Sequence, residues 1–244
     1  VKLAKSRRKK SKFVNAVLRT VQRKDLKRVK FPKLDNKPVE HISVKYSFPK
    51  WLVKRWIEQY GLEWTVAFCK ASNQIAPTSI RVNKLKTNRD ELIEILKNQG
   101  IKAEKSRYVP EGITLLDNIS LTELDDYFHL FQVQDESAML VSHILDPKPG
   151  EVVLDVCAAP GGKTTHIAQL MENMGKILAF DILPSKLALI EENCTRLGIS
   201  TVKTSVADAS DSKIFPDLTA DRVLIDAPCS GFGTLRRNPD IRWN

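Results

Sequence analysis

The sequence predicts a doubly wound α/β domain preceded by a small α+β unit and a helical segment. Three observations carry that expectation. From about residue 133 the pattern runs strand, glycine loop, helix, strand, and it repeats through four β-units. EVVLDVCAA is a near-continuous apolar run, as a strand buried on both faces of a parallel sheet requires. Between residues 78 and 116, strand-like and helix-like stretches alternate over a much shorter span.

Each element follows in order. Residues 12–28 place Phe13, Val14, Val17, Leu18 and Val21 at helical spacing. One short helix cannot bury that stripe alone, so its partner helices are expected upstream of Val1. Residues 29–48, with Pro32, Pro38 and mixed charges, read as a linker. Pro49 suits the start of a helix through WLVKRWIEQYG that stops at Gly61. A second helix sets Leu62, Val66 and Cys69 on one face, which makes Cys69 a core residue. TSIRVN is strand-like, NRDELIEILKNQG is an amphipathic helix closing at Gly100, and KAEKSRY and GITLL are strand-like. This unit resembles a compact RNA-recognition-like fold without its aromatic signature. In the second half, KTTHIAQLMEN and PSKLALIEENCTRLG are helices, and KILAFDI, TVKTSVAD and DRVLIDAP are strands. The expected division is a helical remnant plus linker over 1–40, the α+β unit over 41–132 and the α/β domain over 133–244.

Charge narrows the partners. Residues 1–30 hold 13 Lys or Arg against the single acid Asp25, whereas the other 214 residues hold 26 basic and 28 acidic side chains. The net +10 is therefore an N-terminal patch, suited to a phosphate backbone or left as a solvated arm. No apolar run approaches the ~18 residues of a membrane span. No charged-then-apolar leader opens the chain and the cysteines suggest no disulfide scaffold, so a cytoplasmic location is expected; a monomer is expected as well. Cys69, Cys157, Cys194 and Cys229 form no CxxC pair, which excludes a zinc ribbon; no metal site is expected.

The chemistry concentrates in Cys157-Ala158-Ala159-Pro160-Gly161-Gly162-Lys163-Thr164. Small residues between strand and helix let a ligand approach the backbone, and the helix N-terminus offers free N–H groups. A phosphate-binding P-loop would need glycine where Cys157 stands. A plain strand–helix turn is the other alternative. Asp181 ends the next strand, about 20 residues after Gly161, where a carboxylate can accept from ribose hydroxyls. Asp208 and Asp226 end the third and fourth strands, although Asp208 alone could be a solvated strand end. Three acids at strand ends and no basic cradle favour a nucleoside cofactor that is itself cationic. Cys229, after Pro228 at a strand end, is expected to face the crevice.

CAAPGGKT, together with the Asp226–Trp243 run DAPCSGFGTLRRNPDIRW, is similar to the bacterial 16S rRNA cytosine-C5 methyltransferases of the RsmB/Sun type, within the NOL1/NOP2/Sun family. FVNAVLR resembles the end of that family's NusB-like helical domain, and FQVQDESAML resembles the segment packing beside its cofactor. The resemblance implies a class I, Rossmann-like methyltransferase domain, truncated at its C-terminus, that uses S-adenosyl-L-methionine on 16S ribosomal RNA. It implies a cofactor site lined by Cys157, Ala158, Ala159, Pro160, Gly161, Gly162, Lys163, Asp181, Asp208 and Asp226, with Asp226 also reaching the target base. In the family a thiolate adds to C6 of cytosine, C5 takes the methyl group, and the thiol is then expelled. Cys229 matches the cysteine that assists release, whereas the attacking cysteine belongs to a later TCS motif that these residues lack. The chain alone is therefore expected to be inactive. Arg236, Arg237 and Arg242 would meet RNA or order the loop. The alternative is a non-catalytic RNA-binding module.

Overall fold

A computed structural model describes residues 8–23, 31–117, 121–211 and 219–243. They fall into two compact units, Val1–Ile75 with Phe232–Asn244, and Ala76–Gly231. Parts of the basic arm, residues 1–7 and 24–30, lie outside the described residues.

The first unit is helical. It holds α1 (Arg8–Arg23), α2 (Pro38–Tyr46), α3 (Lys50–Tyr60), α4 (Leu62–Ser72) and 3₁₀ turns at Phe232–Thr234 and Pro239–Trp243. The expected linker is partly a helix, because Pro38 occupies the first turn of α2, where its missing N–H is harmless. Ile42 on α2 is fully buried beside Phe48, Leu52, Val53, Trp56, Cys69 and Leu235. Cys69 is a core thiol as expected, pushed up to about 12 by burial. The stripe on α1 is uncovered: Phe13, Val17, Leu18 and Val21 are all exposed.

The second unit contains two sheets. The first comprises β1 (Thr78–Val82), β2 (Ala103–Lys105), β3 (Gly112–Leu115) and β4 (Phe131–Val133), in the order β2-β3-β1-β4 and antiparallel throughout. Helix α5 (Arg89–Asn98) packs on it through Leu92 and Leu96. Asn88 caps that helix, accepting from the backbone N–H groups of Asp90 and Glu91. The sequence reading overlooked β4, which pairs Val82 with Phe131 after a 3₁₀ run at Leu121–Leu130. KAEKSRY shortens to three strand residues.

The second sheet is the doubly wound one. Its strands are β5 (Val152–Asp155), β6 (Lys176–Asp181), β7 (Val202–Val206) and β8 (Arg222–Leu224), all parallel in the order β7-β6-β5-β8. Helices α6 (Glu136–Leu145), α7 (Gly162–Leu170) and α8 (Pro184–Leu197) accompany it. Val153, Ile177 and Ala179 face Ile167, Leu187 and Ile190 on one side, while Leu154, Val156 and Phe180 form the opposite layer. That two-sided burial is what the apolar run of β5 requires. Because β6 lies on one side of β5 and β8 on the other, the winding reverses at β5/β8. The carboxyl ends of those two strands therefore flank an open crevice.

Candidate functional site

A cleft of about 220 Å³ lies at that reversal point. It is lined by Cys157, Ala158, Ala159, Pro160, Gly162, Lys163 and Asp226, all expected from the sequence, and by Gln132, Val133, Gln134, Ala138 and Asp155. Residues of FQVQDESAML thus border it. The loop between β5 and α7 turns tightly: Gly161 N–H donates to Ala158 O at 2.8 Å and Gly161 has φ +96°. A Cβ there would sit 3.1 Å from the Ile190 backbone, so glycine is needed for both conformation and space.

The acids differ sharply. Asp226 borders the cleft and pairs with Lys163 Nζ at 2.5 Å. Asp181 is buried at the end of β6 and accepts from Ala159 N at 3.3 Å and Leu183 N at 3.2 Å, which ties it to the loop without lining the cleft. Asp208 is exposed and accepts from the backbone and hydroxyl of Ser210, whose hydrogen bonds lower its pKa. Cys229 is exposed and is not among the cleft residues. Cys157 lines the cleft as a thiol, since burial and the nearby charges of Asp155, Asp181 and Asp226 all raise its pKa.

Two features escaped the sequence reading. Asp155, at the end of β5, is buried, accepts from Thr164 Oγ1 at 2.7 Å, and is pushed up to about 6 by burial. Its one signal was an acid inside an otherwise apolar run. In the same unit, Glu111 Oε1 lies 2.7 Å from His143 Nε2 and 2.5 Å from His166 Nε2. The three ligand-type atoms are within 4.8 Å of one another. Burial drives His166 toward its neutral form, and the closeness of the His166 and His143 rings keeps Glu111 ionised despite its own burial.

Of the arginines named above, Arg242 is buried and structural. It donates to Tyr46 O, Ser47 O and Asn73 Oδ1 and lies 4.0 Å from the Phe48 ring centroid. Arg236 donates to Ile75 O at 2.6 Å. Both order the first unit.

A parallel sheet with a glycine loop, a helix N-terminus and strand-end acids at its reversal point defines a Rossmann-like methyltransferase domain, here beside a ferredoxin-like sheet. The family model for the 16S rRNA methyltransferase RsmB/F matches residues 142–244, and that for the RsmF/B-like ferredoxin-like domain matches residues 48–122. The "Probable ribosomal RNA small subunit methyltransferase B" of Bacillus subtilis is 39% identical, over 100% of this chain and 54% of its own length. A crystal structure of a methyltransferase homolog protein from Pyrococcus horikoshii is 32% identical with a TM-score of 0.73, covering 83% of this chain and 67% of that one. The structure of NSun6 from Pyrococcus horikoshii with SFG is 28% identical with a TM-score of 0.69, covering 76% and 72%. The chain belongs to the RsmB/F methyltransferase family. It spans about half the length of the curated relatives it matches.

Proposed function

We propose that the protein takes part in methylating C5 of a cytosine in 16S ribosomal RNA, with S-adenosylmethionine as methyl donor. The carrying observation is the charge of the cleft. Among the described residues Asp155 and Asp226 border it against one lysine, and Lys163 is held by Asp226, so none of them offers a free cation to a triphosphate. That balance suits a cationic nucleoside cofactor and opposes the P-loop reading. The unpartnered amide nitrogen of Gln134 adds a donor for the cofactor's acceptors.

Bound S-adenosylmethionine supplies a methyl group on a sulfonium. In this reading the Cys157–Lys163 loop lets its nucleoside approach the backbone, and Asp181, tied to that loop through Ala159 N, accepts from its hydroxyls, whereas Asp208 stays outside the cleft, engaged by Ser210. Asp226 fixes Lys163 and borders the target base. A thiolate adds to C6 of the cytosine, C5 gains the methyl group, a base removes the C5 proton, and the thiolate leaves. Cys229 assists that release. Cys157 is held as a thiol, which argues against it as the group that attacks C6. The RNA is drawn to the helical unit, whose sequence carries 23 Lys and Arg against 6 Asp and Glu.

The test is transfer of labelled methyl to unmodified 16S rRNA, read as 5-methylcytosine. A chain extended through a TCS motif should transfer it, and residues 1–244 alone should not. Turnover by residues 1–244 would make Cys229 the nucleophile. Label on a base other than cytosine would overturn the reading.

A further inference from the structure

Arg81 is the largest fully buried side chain among the described residues, and it contacts no carboxylate directly. It projects from β1 of the antiparallel sheet, yet its hydrogen bonds go to α7 and to Gln134. Nε donates to Gln169 Oε1 at 3.1 Å, Nη2 to Thr165 Oγ1 at 3.0 Å, and Nη1 to Gly162 O at 2.7 Å and to Gln134 Oε1. Burial lowers its pKa to about 9, with the charge of Glu111 opposing, so it remains a cation at neutral pH.

That fork fixes a second side chain. Gln134 is 8% exposed and borders the cleft. Arginine has only donors, so the amide oxygen must face Arg81 and the NH₂ must turn away from it. Its Nε2 is buried with no hydrogen-bond partner, a costly arrangement unless a ligand supplies the acceptor. The amide also stands 3.9 Å from where a Cβ on Gly162 would be, beside the first turn of α7. A donor backed by a buried guanidinium, next to a helix N-terminus, is a place for negative charge. The anionic group of S-adenosylmethionine is the carboxylate of its amino-acid end.

We propose that Gln134 binds the carboxylate of the cofactor's amino-acid end, and that Arg81 is the positioning residue that aims its amide. This rests on the cofactor reading above. It assigns the antiparallel sheet a part in cofactor binding through one side chain of β1. The charge of Glu111 favours the Arg81 cation, which leaves the acids of the cleft free to face the cationic part of the ligand.

The experiment compares two ligands by calorimetry on the 244-residue chain: S-adenosylmethionine, and 5′-methylthioadenosine, which lacks the amino-acid end. Gln134→Glu keeps an acceptor for Arg81 and removes the NH₂ donor. It should weaken S-adenosylmethionine at least tenfold while methylthioadenosine affinity and thermal midpoint stay near wild type. Arg81→Lys keeps the charge but loses the fork, and should narrow the ratio of the two affinities in the same direction. Equal weakening of both ligands would reduce Gln134 to a wall of the cleft and overturn the proposal, as would wild-type affinities in Gln134→Glu. Failure of the wild-type chain to bind S-adenosylmethionine would instead overturn the cofactor reading, and this inference with it.

Discussion

The helical unit and the two-sheet unit are charged in opposite directions. The first carries 23 basic against 6 acidic side chains, the second 16 against 23. Their interiors differ as well. Among the described residues, the buried polar groups of the helical unit are Thr65, Ser72 and Arg242, whereas the two-sheet unit buries Arg81, Glu111, Asp155, Thr164, His166 and others. Burying polar groups costs stability unless they are paired. Their concentration in one unit fits the cofactor site proposed there, and the basic charge of the other fits the proposed attraction of a polyanion.

The contrast breaks most visibly at the arm. Deleting residues 1–30 removes 13 basic side chains. RNA affinity at low salt should fall on the order of a hundredfold, and the slope of log affinity against log salt should flatten. An unchanged slope would show a solvated tail. Within the same unit, Arg242→Ala should cost about 3 kcal/mol of stability by orphaning three acceptors and emptying the face of Phe48. The loss would be read as a lowered denaturation midpoint, with little change in the RNA salt slope.

In the two-sheet unit, Asp181→Ala should weaken S-adenosylmethionine binding by about 1.5–3 kcal/mol through lost charge-assisted hydrogen bonds. Unchanged affinity in a titration would remove Asp181 from the ribose. The smallest effect concerns pH. Asp155 has its folded pKa raised to about 6 from 3.8, so its ionised form works against the fold. Its favourable contribution is fully present below the unfolded pKa of 3.8 and is lost as pH rises through about 6. Asp155→Asn should therefore be more stable than wild type at pH 8 by up to about 2 kcal/mol, with the gap closing toward pH 4. A gap that widens on acidification would contradict the burial of that carboxylate.

What the sequence disclosed depended on how local the signal was. The loop and helices around CAAPGGKT were readable because glycines and 3.6-residue periodicity report on neighbouring positions. Helix α2 was missed because Pro38 reads as a breaker unless its position in the first turn is known. β4 was hidden since three residues carry no periodicity, and only pairing with β1 defines it. Arg81 was invisible for a stronger reason. On a strand it resembles any solvated arginine, and its partners Gln134 and Gln169 lie 53 and 88 positions away. The strand-end acids could be enumerated but not ranked, because Asp208 and Asp226 differ only in what the fold brings beside them.

On the proposed reading, the β5/β8 cleft accepts a cationic nucleoside and refuses a polyphosphate. Calorimetric titration of the 244-residue chain with S-adenosylmethionine and with ATP, in the same buffer, tests it most directly. Saturable binding of one S-adenosylmethionine per chain, with no heat from ATP, is the predicted result. Preferential binding of ATP would contradict it.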